Sequence, residues 1–406
     1  TMTQVVALLN SALRHLDDTI ERNRRNDGLF HSYNLVDFRD GADVCLVEHL
    51  DTMLEGQVAV LSSGLLTAEQ KVGLLESLSS SDLYRADQRS FVLYPPRQLP
   101  PFLEKNIIPE EMVAESRLLQ QLVASGDHRL IDVDGAGRYR FAPSCINRGA
   151  LEVELDGIAA DERWRNLVES ERNLVLSAYE SVFNHHAYTG RSGSMYGFEG
   201  IGSIYWHMVG KLLVAIQESI LEAHDAGDAA TARVLEDYYW RVRSGFGFEK
   251  TAVEYGAFPM DPYSHTPAHA GAQQPGMTGQ VKEEILTRPL ELGLRVKDGV
   301  IQIDPVLLRH GEFLEEPASW SVEAADGSRQ SIELSPGSLG MTICQVPLIV
   351  SLVDGPGAIE VVLVDGASRR FEGNSLDLKS SAEILGRTGI VRRINASVPM
   401  AAIGSG

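Results

Sequence analysis

The chain has 406 residues, of which 44% are hydrophobic and 23% charged, with a net charge of −20; this is enough for two domains and a large buried core in an ordinary globular protein. Such acidity excludes a nucleic-acid or anionic-membrane surface, which would need a basic stripe. No apolar run approaches the roughly 20 residues of a membrane helix, and no cleavable signal opens the chain, so a cytoplasmic setting is expected.

Over residues 3–25, Val5, Leu9, Ala12, Leu16 and Ile20 share one helix face. The next stretch, "NRRNDGLFHSYN" (23–34), sets Asp27 between Asn26 and Gly28. Asn-Asp-Gly ends helices and makes turns for conformational reasons, and the same acid could be presented for chemistry. Glu199, Glu254 and Asp261 are other carboxylates in glycine- or proline-rich loops. Helical spacing recurs around 43–62, 67–80, 109–125, 161–183, 202–225 and 228–243, in stretches rich in good helix formers. Residues 1–293 therefore predict a helical domain with long loops at 94–109 and 255–279. Cys45, Cys145 and Cys344 lie far apart with no C-x-x-C pair, which predicts buried thiols and neither a disulfide framework nor a metal site.

"GFEGIG" (197–202) has no clear strand before it and no Gly-Lys-Ser after it, so it does not make a nucleotide loop. His207 falls beside the apolar stripe Tyr205, Met208, Val209 and Leu212, where it either caps a core edge or serves a site. His185, His186, His207, His265 and His269 show no metal-ligand spacing, and no metal is expected. The loop 245–278 lacks the charged composition of a disordered tail and is expected to be ordered and to line a site. At its end Thr278-Gly279 meets the helical-looking "QVKEEILTR". Threonine there is an ordinary N-cap, and the same free N–H groups and hydroxyl could hold an anion.

After about residue 293 the texture changes. "LRVKDGVIQID", "SWSVEAADGSRQSIEL" and "VPLIVSLVDGPGAIEVVLVDGASRRF" place Asp-Gly turns between β-prone runs, a strong local hairpin signal. This predicts an antiparallel β module over 294–398, and domains at 1–293 and 294–406.

The stretch "AVEYGAFPMDPYSHTPAHAGAQQPGMTG" (252–279) resembles a loop of the inverting β-glycoside phosphorylases, the cellobiose, chitobiose and β-1,3-glucan phosphorylase group. The matching residues are Val253, Glu254, Tyr255, Asp261, Tyr263, Ser264, Pro267, His269, Gly271, Thr278 and Gly279. "LELGLRVKDGVIQIDPVLL" (290–308) is similar to that family's link into its C-terminal β module, "GIGSIYWHMVGKLLVA" to its Gly-x-Tyr-x-His helix start, and "NDG" to its acid-bearing turn. The family's acid usually stands in Gly-Asp-Trp-Asn-Asp-Gly, whereas here Arg24 and Arg25 precede Asn26.

The resemblance implies a mainly α fold: an (α/α)6 toroid, incomplete in this chain, followed by an antiparallel β-sandwich-like domain. It implies phosphorolysis of a β-glucoside or β-glucan oligosaccharide to an α-sugar 1-phosphate, with inorganic phosphate as co-substrate and no other cofactor. Asp27 would be the general acid. His207, Thr278 and Gly279 would hold phosphate, and Glu254, Tyr255, His269 and Gln274 the sugar. An arginine that contacts phosphate in relatives is expected upstream of this chain, and a toroid short of hairpins predicts an N-terminal partner region or a homo-oligomer. Two other readings stand beside it: an inverting hydrolase, with Glu254 or Glu199 activating water, and a non-catalytic carbohydrate-binding fragment or subunit of a split enzyme.

Overall fold

Leu93 and Ile204 mark where the chain leaves and re-enters its larger unit: Thr1–Leu93 with Ile204–Gly406 form one compact body, and Tyr94–Ser203 form another. The computed structural model describes residues 1–38, 45–50, 52–95, 100–184, 204–246, 250–255, 263–266, 274–275, 279–324 and 327–403, with only the main chain described at 37–38, 252, 255, 263–266, 274–275 and 279–284. The expected boundary at 293 to 294 falls inside the larger unit.

In chain order, the larger unit begins with α1 (Met2–Arg22), β1 (Asn34–Phe38), β2 (Cys45–His49), α2 (Leu54–Leu61), α3 (Ala68–Ser79), β3 (Tyr84–Arg85) and β4 (Ser90–Phe91). The inserted unit holds α4 (Phe102–Lys105), α5 (Glu110–Glu115), α6 (Arg117–Ser125), β5 (Ile131–Val133), β6 (Tyr139–Phe141), α7 (Arg148–Ala159) and α8 (Glu162–Phe183). The larger unit resumes with β7 (Ile204–Tyr205), α9 (Trp206–Asp225), α10 (Ala229–Arg243), α11 (Ala252–Tyr255), β8 (Tyr263–Thr266), β9 (Gln274–Pro275) and α12 (Gly279–Glu291). Then come β10 (Leu294–Lys297), β11 (Val300–Ile303), β12 (Ala318–Glu323), β13 (Arg329–Leu334), β14 (Ser338–Ile343), β15 (Val346–Val353), β16 (Ala358–Leu363), β17 (Ser368–Glu372), α13 (Leu378–Leu385) and β18 (Val391–Pro399).

The helical layer is built on α9, whose Trp206, Val209, Leu212, Leu213 and Ile216 are fully buried. Helices α2, α3, α10 and α12 all pack against it. Thr67 starts α3 with a capping box, its hydroxyl taking the Gln70 N–H while the Gln70 side chain returns to the Thr67 N–H. A buried Lys71 on α3 pairs with Glu222 on α9. Behind α9, the buried Glu291 accepts from Tyr239 Oη at 2.5 Å, Arg243 Nε at 2.8 Å and Arg288 Nη1 at 3.0 Å. Arg288 also pairs with Glu312 at 2.8 Å, so α12 is tied to the segment leading into the sheet.

The helix expected over 43–62 is in part a strand. Cys45–His49 pairs antiparallel with Asn34–Phe38, and helix begins only at Leu54, after an extended Met53. Helix α1 has the expected stripe but buries none of its residues; Val5, Leu9 and Leu16 are half exposed or more.

The inserted unit has its own core, in which Leu118, Leu119, Leu122, Phe141, Leu151, Leu155 and Tyr179 meet. The helices expected at 109–125 and 161–183 belong to this unit. The first is broken at Ser116, which turns extended and spends its hydroxyl on the Leu119 N–H as N-cap of α6.

The C-terminal strands form a five-stranded sheet in the order β14-β15-β18-β16-β17. It is mixed, not wholly antiparallel as expected, because β15 and β18 run parallel. Asp298-Gly299 makes the expected hairpin turn between β10 and β11, both residues left-handed at φ 51° and 77°. Asp354-Gly355 does not, because β18 lies between the strands that turn connects. The β12–β13 hairpin packs Val322, Ile332 and Leu334 against Ile349.

Candidate active site

Asp27 sits at the tip of a short loop whose limbs are held together. Arg24 bridges Phe30, Arg25 N–H donates to Leu29 O at 2.8 Å, and Gly28 N–H to Arg25 O at 3.3 Å. Gly28 is left-handed at φ 81°, and a Cβ there would lie 2.3 Å from Ser77 Oγ, so only glycine lets this turn seat on the end of α3. Below the turn, Gln57 on α2 accepts from Phe30 N–H at 2.9 Å and donates to Phe30 O at 2.8 Å. The loop is thus fixed through its main chain to the helical layer.

The Asp27 carboxylate accepts from Arg25 Nη2 at 2.8 Å and Nε at 3.1 Å, and from Leu29 N–H at 3.1 Å. Those bonds, the Arg25 guanidinium foremost, hold its carboxyl below the usual carboxylate range. It faces a cavity of about 550 Å³ shared with Glu76, Ser77, Ser80, Ser81 and Asp82. None of His207, Glu254 or Gly279 lines that cavity.

His207 lies in the first turn of α9, its ring 5.5 Å from that of Tyr205. Strand β7 runs straight into this helix, and the small sheet β7-β8-β9 sets Tyr205 opposite His265 and His265 opposite Gln274. Gln274 is therefore brought to the α9 start from nearly seventy residues away, in register rather than in sequence. Gly279 is the first residue of α12, and α12 packs on α9. Thr278 and His269 lie outside the described residues, as do Glu199 and Asp261; the side chains of Tyr255 and Gln274 are also outside them.

Glu254 closes a capping box on α11. Its Oε2 accepts from Thr251 N–H and Oγ1, each at 2.9 Å, and its own N–H donates to Thr251 Oγ1 at 3.2 Å. These bonds lower its carboxyl pKa. Its main chain is held by Gln88 in the β3–β4 turn, whose Nε2 donates to Glu254 O at 2.6 Å. Gln88 Oε1 in turn accepts from the buried Lys250 at 3.1 Å, and Lys250 Nζ lies 5.0 Å from the centre of the Trp206 ring.

The structure therefore gathers the starts of α9 and α11 and strands β7 to β9 into one region, and holds Asp27 on a separate, rigid turn of the same unit. Sequence reasoning missed Arg25 as the partner of Asp27, although the basic residue two places before the acid was visible. It also missed Gln57, Gln88 and Lys250, whose partners are distant in sequence. Glu236 on α10 is a further carboxyl of note: burial pushes it up to about 7. Among the described residues no three His, Cys, Asp or Glu side chains gather as metal ligands, and no helix is long and apolar enough to cross a membrane.

Residues 99–186 match the family model described as GH149 phosphorylase insertion domain 2. The matched range falls within the unit that interrupts the larger body. This match supports a glycoside phosphorylase of the GH149 type and a role in carbohydrate metabolism. A comparison with curated proteins finds no match.

Proposed function

We propose that the chain takes part in inverting phosphorolysis of a β-glucoside or β-glucan oligosaccharide, giving an α-sugar 1-phosphate. The observation that carries this reading is the match of the inserted unit to a phosphorylase insertion domain, together with the family-like sequence of the segments that meet at the start of α9.

In this reaction Asp27 delivers its proton to the glycosidic oxygen as the bond from that oxygen to the anomeric carbon breaks. A phosphate oxygen attacks the same carbon from the opposite face and forms the new bond, which inverts the centre. No second carboxylate is needed, because phosphate is the nucleophile. Bound to Arg25, Asp27 is a carboxylate; in this reading the charge of an incoming phosphate dianion raises the carboxyl pKa, which readies the acid. His207, the Thr278 hydroxyl and the Gly279 N–H at the α12 start hold the phosphate. Glu254, Tyr255, His269 and Gln274 bind sugar hydroxyls.

The larger unit would form part of an (α/α)6 toroid, a reading supported by the consecutive helices α9 and α10 packing as a pair. The exposed apolar stripe of α1, with Val36 and Val47 exposed on the β1–β2 hairpin, supports cover by an N-terminal partner region or a second copy. A cytoplasmic setting belongs to the same reading and is supported by three free cysteines.

A second reading, inverting hydrolysis, is favoured by one observation: Glu76 and Asp82 line the Asp27 cavity and could activate water. Incubating the chain with laminari- and cello-oligosaccharides, with and without phosphate, separates the two. Phosphate-dependent sugar 1-phosphate supports phosphorolysis, and phosphate-independent reducing sugar sinks it. Asp27→Asn is expected to abolish turnover while oligosaccharide affinity stays nearly intact.

A further inference from the structure

The turn between β3 and β4 is built to be approached closely. Arg89 is left-handed at φ 50°, which costs a residue with a Cβ about 1 kcal/mol or more. A Cβ on Gly245, just past α10, would lie 2.2 Å from Arg89 O. The turn is closed by Gln88 N–H to Arg85 O and Arg89 N–H to Ala86 O, both 3.2 Å. The side chain it presents, Gln88, is 7% exposed and spends both ends of its amide: Oε1 on Lys250 and Nε2 on Glu254 O.

We propose that Gln88 and Lys250 are positioning residues, which fix the main chain at Glu254 against the first turn of α9 and so set the sugar side of the site relative to His207. This rests on the phosphorolysis reading for the roles of Glu254 and His207, and on distances alone for the bridge. The logic is one of donors and acceptors. An ammonium has three donors and no acceptor, so Lys250 dictates that Gln88 turns its oxygen inward; the amide nitrogen is then left to donate to Glu254 O. A reversed amide would set two oxygens against each other at Glu254. Lys250 itself is 8% exposed and stands against Trp206, the neighbour of His207 on α9.

The charge on Lys250 is poised. Burial pushes its pKa down to about 8, Arg89 and Arg85 add to the fall, and Asp87 and Glu254 oppose it. Once neutral, the amine gains a lone pair and ceases to dictate the orientation of the amide, so the hold on Glu254 loosens above about pH 8.

The test uses the whole chain with Gln88→Glu, Lys250→Met and Lys250→Arg, read by amide hydrogen exchange over 251–255 and by steady-state kinetics with laminaritriose and inorganic phosphate. In Gln88→Glu a carboxylate still accepts from Lys250 but turns an acceptor toward Glu254 O. Expected are about tenfold faster exchange at 251–255 and a laminaritriose KM raised about five- to tenfold, with kcat and the phosphate KM within about twofold. Lys250→Met is expected to do the same and to remove the rise in laminaritriose KM above pH 8. Lys250→Arg, still donor-only, is expected to restore exchange toward the parent. Unchanged exchange in Gln88→Glu overturns the bridge, and a uniform loss in kcat and both KM values overturns positioning in favour of general loosening. The exchange measurement needs no turnover, so it upholds or overturns the bridge even where phosphorolysis itself is not found.

Discussion

Gln57 holds Phe30 by both halves of its main chain, accepting from its N–H at 2.9 Å and donating to its carbonyl at 2.8 Å, with both residues fully buried. The same amide donates to Met53 O at 2.9 Å. Gln57→Leu keeps the volume and strands both main-chain groups of Phe30, while Met53 O keeps the Ser32 hydroxyl at 3.5 Å. The expected loss is about 2–4 kcal/mol in unfolding free energy, measured by urea denaturation. A loss under about 0.5 kcal/mol would show that water replaces the amide and that the Asp27 turn is not fixed from below.

Gly28→Ala faces two separate obstacles, a left-handed φ of 81° and a contact 2.3 Å from Ser77 Oγ. A loss of about 1–3 kcal/mol is expected. Adding Ser77→Ala is expected to recover only the steric part, because the backbone cost stays. Full recovery in the double variant would mean that the backbone conformation carries no cost.

The third expectation concerns pH. The Arg25 bonds depress the Asp27 carboxyl, so the pair stabilises the fold above the ordinary carboxylate range and loses that contribution as pH falls through the depressed value. Both side chains are partly exposed, so the contribution is under about 1 kcal/mol. For catalysis the sign reverses in importance, since an acid must hold its proton. Arg25→Met raises the Asp27 pKa and is expected to carry the alkaline limb of the phosphorolysis profile to higher pH. A limb that stays in place assigns the proton to another group.

Glu236 behaves in the opposite sense. Its carboxyl is pushed up to about 7 by burial on α10, so its contribution to stability is complete below the ordinary glutamate range and is lost as pH rises through about 7. Glu236→Gln removes the charge that the fold resists. At pH 8 it is expected to stabilise by about 1 kcal/mol, after discounting for partial exposure, and at pH 4 by nothing measurable. Equal effects at the two pH values would remove burial as the cause.

Residues 94–203 alone are expected to fold. They carry a separate core, and Trp164, which is 7% exposed, reports on it as the one tryptophan in the range. A cooperative loss of Trp164 fluorescence and helical circular dichroism at one temperature checks this. A fragment with no such transition would show that the inserted unit depends on the larger body.

How much of this could be read beforehand depends on the range of the interaction responsible. Helix α3 was legible because Thr67 and Gln70 cap it from within the same turn, and the hairpin at Asp298-Gly299 because both central residues accept a left-handed φ. Asp354-Gly355 has the same local chemistry, yet a strand nearly forty residues later takes the place between its neighbours. The loop at 94–109 begins at the first unit boundary, but nothing local shows that the chain returns to the same body at Ile204. At the site, the Asp27 turn was visible in Asn-Asp-Gly. Its ion pair is equally local, with Arg25 two places before the acid, but its anchor was not visible, because Gln57 reaches Phe30 across 27 residues.

The position of the insert also has a bearing on biosynthesis. Strand β4 ends at Phe91 and its neighbour β7 begins at Ile204. Helices α2 and α3 leave the ribosome before the insert, but the helix that covers them, α9, follows only after it. At about 5–20 residues per second, roughly a hundred intervening residues keep Leu54, Leu61, Leu74 and Leu78 uncovered for about 5–20 s. An insert that collapses on its own core in that interval brings its ends under control before α9 arrives, replacing a long flexible loop whose closure costs about 0.6 kcal/mol more for each doubling of length. The vulnerable state of this chain is therefore a half-made one, and a holding chaperone that binds apolar helices would find its target in α2 and α3.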